Sequence, residues 1–240
     1  IPIIGDILSN GHSFENVVRY PDIFLGNHNK KVHQSLIPDL LITFGNSIIS
    51  KNLKLFLRQN TISNHWHIQP FGEVADTFQT ISKRIRTSPE SFFKTVAKPI
   101  KDDFTLQKQA NFLNIWDIEE RKAGRHVAQW SNNALNEVTA YKEVIQQLPE
   151  YSNVHLANSM AVRYANFIGL GSDQEVVIYA NRGTSGIDGG TSTAVGSALS
   201  SGKTTVLLTG DMAFFYDRNA FWHNYDLSNL KIVVFNNHGG

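Results

Sequence analysis

Four short apolar runs, each ending in an unusual polar cluster, constrain this chain more than any other feature. Residues 154–157, 176–180, 205–209 and 232–235 are nearly continuously apolar and rich in β-branched side chains. That is the pattern of parallel strands covered on both faces. Helix-length stretches precede and separate them, the first over residues 135–148 and ended by Pro149. The runs stop at Asn158-Ser159, Asn181-Arg182-Gly183, Gly210-Asp211 and Asn236-Asn237. Ligands of parallel sheets lie beyond the carboxyl ends of the strands. The four clusters are therefore expected to face one site.

The N-terminal part alternates strand with amphipathic helix. Residues 1–7 read as a strand, and Ser13 as the cap of a helix running through Val17, Val18 and Phe24. Residues 40–44 read as a second strand, Gly45-Asn46-Ser47 as a turn, and Leu53, Phe56 and Leu57 as one helix face before a third strand at 66–68. Over residues 72–131 the strand rhythm disappears. Thr87-Ser88-Pro89-Glu90 has the form of a helix start, Phe92, Phe93 and Val96 form a short apolar face, and a helix over 104–130 is interrupted at Gly124. The expected fold is α/β, with two three-layer α/β domains and mainly parallel sheets. Residues 1–71 form the central domain, 72–131 a helical interdomain connection, and 132–240 a second domain truncated at its C-terminus. The opening Ile1 and the end just beyond Asn236-Asn237 lead us to expect a fragment cut at both ends.

Composition narrows the function classes. The 240 residues are 41% hydrophobic, enough for real cores, and 22 Lys and Arg nearly cancel 21 Asp and Glu. No general basic field exists to gather nucleic acid or an acidic membrane surface. An anionic ligand must be held by a few placed cations. Cysteine is absent, which excludes disulfides, thiolate metal sites and a Cys nucleophile and fits a reducing compartment, so a cytoplasmic location is expected. No apolar run approaches the ~20 residues that span a bilayer, and membrane insertion is not expected.

Asp211 and Asn237 are the first chemical candidates. A carboxylate at one strand end and an amide oxygen at the next can share a hard cation such as Mg2+, which completes its shell with phosphate oxygens. The alternative is local: Asp211 caps a helix beginning at Met212, and Asn236-Asn237 is a turn. Two other signals carry less. Residues 196–204 have five residues between Gly196 and Gly202 where a P-loop needs four, and Lys203 precedes a strand. His65 and His67 flank Trp66 without a third ligand in reach, so a solvent or interdomain face is expected for them.

On this βαβ frame, Gly210-Asp211 followed by Asn236-Asn237 resembles the fingerprint of thiamine diphosphate enzymes, which begins Gly-Asp-Gly and closes with Asn-Asn. Met212 stands where most of those families have Gly. The blocks Asn158-Ser159-Met160-Ala161-Val162-Arg163, Asn181-Arg182-Gly183-Thr184-Ser185-Gly186-Ile187-Asp188-Gly189 and Gly210-Asp211-Met212-Ala213-Phe214-Phe215 resemble the C-terminal cofactor domain of the MenD family. These are the 2-succinyl-5-enolpyruvyl-6-hydroxy-3-cyclohexene-1-carboxylate synthases of menaquinone (vitamin K2) biosynthesis. Pro38-Asp39-Leu40-Leu41-Ile42-Thr43-Phe44-Gly45 and Ser50-Lys51 resemble that family's middle domain more weakly.

The resemblance implies a transferase that uses thiamine diphosphate and Mg2+ or Mn2+. It decarboxylates 2-oxoglutarate and adds the succinyl carbanion equivalent to isochorismate. The second domain would then be a truncated diphosphate-binding domain. Asp211, Asn237 and the Gly239 carbonyl would bind the metal, and the N–H groups of Met212 and Ala213 would add anion binding. Ser159, Met160 and Ile187 would contact the cofactor, Ile187 by supporting its bent form. Ser159, Arg163 and Arg182 would contact substrate, the guanidinium groups pairing with carboxylates.

The resemblance places no catalytic residue in this segment. The cofactor-activating Glu of such enzymes comes from a separate domain, usually of a partner subunit, and no matching motif is found here. A homo-oligomer, dimer or tetramer, with active sites shared between subunits is implied, and the 240 residues alone are not expected to turn over. Another thiamine diphosphate enzyme, such as an acetohydroxy acid synthase relative, and a non-catalytic nucleotide-binding module are the alternatives.

Overall fold

The computed structural model describes residues 1–27, 29–46, 48–97, 103–130 and 135–238. They belong to two compact units, one of Ile1–Ile4 and Tyr20–Gly124, the other of Gly5–Arg19 and Arg125–Gly240. Each unit contains a wholly parallel sheet with helices, so the expected α/β class is borne out.

The first unit contains α1 (Pro21–Phe24), α2 (Lys30–Ser35), β1 (Leu40–Phe44), α3 (Lys51–Gln59), β2 (Asn64–Ile68), β3 (Lys83–Ile85) and α4 (Pro89–Val96). It also holds most of α5 (Asp103–Ala128). Its strands lie in the order β1-β2-β3. Ser50 caps α3 by accepting the Leu53 N–H at 3.2 Å, and Leu53, Phe56 and Leu57 are its buried face. Trp116 of α5 meets Phe24 and Phe56 edge-on, with ring centroids 5.7 and 6.4 Å apart. Ser88 caps α4, and Pro89 occupies its first turn, as the sequence pattern predicts.

Four local expectations change. Only Ile3–Ile4 of the first seven residues is strand, and Val17–Val18 is a strand instead of helix. Asn16, inside the expected helix, takes a left-handed conformation (φ 63°), which breaks helical continuity after Ser13, and the helix begins only at Pro21. β3 lies where no strand rhythm is visible, because Lys83-Arg84-Ile85 is polar and joins the sheet through its pairing with Trp66, His67 and Ile68. Gly124 does not interrupt α5; a Cβ there would stand 3.3 Å from the Tyr20 ring, so the glycine accommodates that ring.

The fourth correction concerns the histidines. His65 is 1% exposed, not on a solvent face. The Thr43 hydroxyl lies 2.8 Å from His65 Nε2 and 2.9 Å from His67 Nδ1, while Thr80 Oγ1 meets His65 Nδ1 at 2.9 Å. Burial holds the His65 pKa below its ordinary value; Asp76 opposes this and His67 adds to it. Among the described residues no group of three or more His, Cys, Asp or Glu could hold a metal ion.

The second unit contains α6 (Glu137–Gln146), β4 (Asn153–Leu156), α7 (Met160–Ile168), β5 (Val177–Tyr179), α8 (Gly190–Ser201), β6 (Thr205–Gly210), α9 (Asp211–Tyr216) and β7 (Leu230–Phe235). Asn136 and Thr139 form a capping box on α6. The strand order is β5-β4-β6-β7. Thr205 to Thr209 are all buried, which explains the near-continuous apolar run. The chain moves from β4 to β5 on one side and then crosses to β6 on the other. The order of strands therefore reverses between β4 and β6, and the crevice beyond their carboxyl ends is where such a sheet binds ligands. No helix among the described residues is long and apolar enough to cross a membrane.

Candidate functional site

All four polar clusters follow directly from the carboxyl ends of the second unit's strands. At the end of β4, Asn158 is 7% exposed, whereas Ser159 and Met160 are exposed. Ser159 has φ 66° and ψ −128°, a conformation that strains any residue with a Cβ, and its hydroxyl makes no capping bond to α7. The common role of a Ser at a strand end, helix capping, is thus not the one found here. Arg163 lies in the first turn of α7 with its side chain exposed.

The loop after β5 is built around Asn158. Its Nδ2 donates to the carbonyls of Asn181 at 2.8 Å and Gly186 at 2.7 Å, and its Oδ1 accepts from Arg182 Nη1 at 2.7 Å. Asn181 Nδ2 in turn donates to the Gly189 carbonyl at 3.0 Å and to Thr193 Oγ1 at 2.9 Å. Positive φ at Gly183, Ser185 and Gly189 lets the chain turn back into α8. Ile187 is 37% exposed at the crest of this loop, so it is not an ordinary core residue. Among the described residues neither Arg163 nor Arg182 has a carboxylate partner, and Arg182 Nε is buried without an acceptor.

Gly210 pairs with Phe235 in the parallel register of β6 and β7, so Asp211 and Asn236-Asn237 leave the sheet from adjacent positions. Asp211 opens α9, and its Oδ1 accepts its neighbour Met212's N–H at 2.8 Å. Met212 is half exposed and Ala213 buried. Asn236 Oδ1 accepts the His238 N–H at 2.9 Å, a local turn. Of the local alternatives read from the sequence, the Asn turn is present, whereas Asp211 is not the cap of a helix beginning at Met212: it is itself the first residue of α9, Gly210 holds the cap position, and no side chain makes a capping bond there. Gly239 lies outside the described residues.

A carboxylate and an amide at adjacent strand ends suit a hard divalent cation with phosphate co-ligands, and guanidinium groups without a carboxylate partner suit carboxylates. The donor set therefore fits thiamine diphosphate with its metal. In the other unit, Lys51 is exposed in the first turn of α3, at the position read as a weak middle-domain match.

Asn158 and Asp217 are the residues sequence reasoning undervalued. Asp217 follows α9 directly, is 7% exposed, and accepts both the N–H and the hydroxyl of Ser192 at 2.7 Å. It thereby caps the start of α8 with a carboxylate. A polar side chain placed immediately after a wholly buried strand is the signal that could have singled out Asn158. No local pattern marks Asp217, because its partner lies in another helix. The P-loop-like segment is ordinary: Gly196 sits inside α8 and Gly202 ends it at φ 64°.

The family model described as "Middle domain of thiamine pyrophosphate", the same compound as thiamine diphosphate, matches residues 1–156. Relatives named 2-succinyl-5-enolpyruvyl-6-hydroxy-3-cyclohexene-1-carboxylate synthase occur in Cytophaga hutchinsonii, 40% identical over 100% of this chain and 42% of that protein. The Flavobacterium johnsoniae protein of the same name is 38% identical over 100% of the chain and 42% of its own length. The Bacteroides fragilis protein is 39% identical over 93% of the chain and 38% of its own length. The chain spans about two fifths of the length of these curated relatives. The resemblance drawn from the motifs is borne out by these matches, and with a family model covering more than half of its residues the chain belongs to the thiamine pyrophosphate enzymes.

Proposed function

We propose that this chain is the middle domain and the diphosphate- and metal-binding domain of a 2-succinyl-5-enolpyruvyl-6-hydroxy-3-cyclohexene-1-carboxylate synthase. The reaction is decarboxylation of 2-oxoglutarate and conjugate addition of the succinyl unit to isochorismate. The observation that carries this reading beyond the family is the pair of arginines, Arg163 and Arg182, which lack carboxylate partners among the described residues and follow two strands of the same sheet. Substrates rich in carboxylates need such groups in a chain of net charge +1.

When bound, thiamine diphosphate supplies the carbanion chemistry. Asp211, Asn237 and Gly239 would hold its Mg2+ or Mn2+, Met212 and Ala213 would contact its diphosphate, and Ser159, Met160 and Ile187 would contact the remainder. Asp211 Oδ1 accepts the Met212 N–H, and its second carboxylate oxygen would be the one offered to the metal. Arg163 and Arg182 orient substrate carboxylates. The whole protein is a cytoplasmic homo-oligomer that shares active sites between subunits, and the 240 residues are inactive by themselves.

The deciding assay incubates the full-length gene product with thiamine diphosphate, Mg2+ and 2-oxoglutarate, with and without isochorismate. Isochorismate-dependent consumption of 2-oxoglutarate is expected. Its absence, or preferential use of pyruvate, would replace this reading by an acetohydroxy acid synthase-like one. Failure to bind the cofactor at all would favour a non-catalytic module.

A further inference from the structure

We propose that Asn158 is the positioning residue for Arg182, holding its guanidinium in place while leaving its positive charge uncancelled. The inference rests on the reading of Arg182 as a substrate contact. Asn158 uses both amide hydrogens on loop carbonyls, those of Asn181 and Gly186 at 2.8 and 2.7 Å, and its oxygen on Arg182 Nη1 at 2.7 Å. Two carbonyl acceptors on one atom require the NH2 group there, and a guanidinium donor requires oxygen on the other side, so the amide has only one orientation.

That arrangement excludes the obvious substitutes. Aspartate would set a carboxylate oxygen against two carbonyl oxygens and would also pair with Arg182. A carboxylate partner would compete with the substrate for the guanidinium, whereas a neutral amide orients it without spending its charge. Gln adds a methylene to a side chain that is only 7% exposed. The same three bonds fix the loop that presents Ile187, so one buried side chain sets both the arginine and the loop crest.

The test is a double-mutant cycle in the full-length protein with Asn158→Asp, Asn158→Ala, Arg182→Ala and the combined variants. KM and kcat for each substrate, cofactor binding and thermal unfolding are measured together. In the presence of Arg182, Asn158→Asp is expected to raise KM for one substrate at least tenfold, about 1.4 kcal/mol, more than Asn158→Ala does. In the Arg182→Ala background the Asp and Ala variants are expected to have the same KM. An Asn158→Asp effect on KM that is equal with and without Arg182 overturns the positioning role alone. An Arg182→Ala variant with unchanged KM and kcat overturns both this role and the assignment of Arg182 to substrate. Should the Asp variants not fold, Asn158→Ala carries the same cycle, with non-additive KM effects expected and additivity overturning the proposal.

Discussion

At the residue scale, the conformation of Ser159 sets stability against function. At φ 66° and ψ −128° a side chain costs of order 1–3 kcal/mol, and glycine adopts the same angles freely. Ser159→Gly is therefore expected to stabilise the fold by about 1 kcal/mol, after the extra entropy of the unfolded glycine is subtracted, while lowering turnover through loss of the hydroxyl. Thermal unfolding and steady-state kinetics on one preparation check both halves. His65 makes a second prediction. Its folded pKa lies below the ordinary 6.5 because burial disfavours the charged ring, and His155 is shifted the same way by burial. As pH falls through 6.5 the unfolded chain binds protons that the folded chain does not, so stability is full above 6.5, declines below it, and levels off once the folded rings also take up their protons. Unfolding temperatures are expected to fall between pH 7.5 and 5.5, with a shallower slope in His65→Gln.

At the element scale, α6 secures the end of α5 through one ammonium group. Lys142 Nζ donates to the carbonyls of Val127, Ala128 and Trp130 at 3.2, 2.8 and 3.1 Å, at and just beyond the helix end, where carbonyls run out of intrahelical partners; the Val127 carbonyl also accepts the Trp130 N–H at 3.1 Å. Lys142→Met is expected to cost about 1–3 kcal/mol, seen as a lower unfolding temperature and faster amide exchange at the C-terminus of α5. Such links explain what the sequence could not disclose. The strands at 154–157, 176–180, 205–209 and 232–235 were legible because a doubly covered parallel strand must be apolar along its length, and the structure finds them as β4 to β7 within one or two residues at each end. β3 was not legible, since Lys83-Arg84-Ile85 is held by its neighbour's backbone and not by an apolar pattern. Nor was the Asp217–Ser192 clamp, whose partners are joined only by the packing of separate helices.

At the scale of the whole molecule, the candidate site was legible as a set of strand ends but not as a geometry. The sequence placed Asp211 and Asn237 on successive strands; the parallel register of Gly210 with Phe235 makes them neighbours. It marked Arg182 but not the buried amide that orients it. Because the chain spans about two fifths of its relatives, the 240 residues alone are expected to release no CO2 from 2-oxoglutarate with thiamine diphosphate and Mg2+. Measured release by the purified segment would place every catalytic group inside it. Asp217 has a wider electrical consequence. Its carboxylate sits on the first turn of α8 and sets a charge of the chain's own against that helix's positive pole, so the pole has less attraction left for a second anion. With Arg163 and Arg182 as the proposed substrate contacts, selectivity for carboxylates falls to these two arginines, and substrate capture is expected to weaken as ionic strength rises, although the segment's net charge of +1 gives no hint of it.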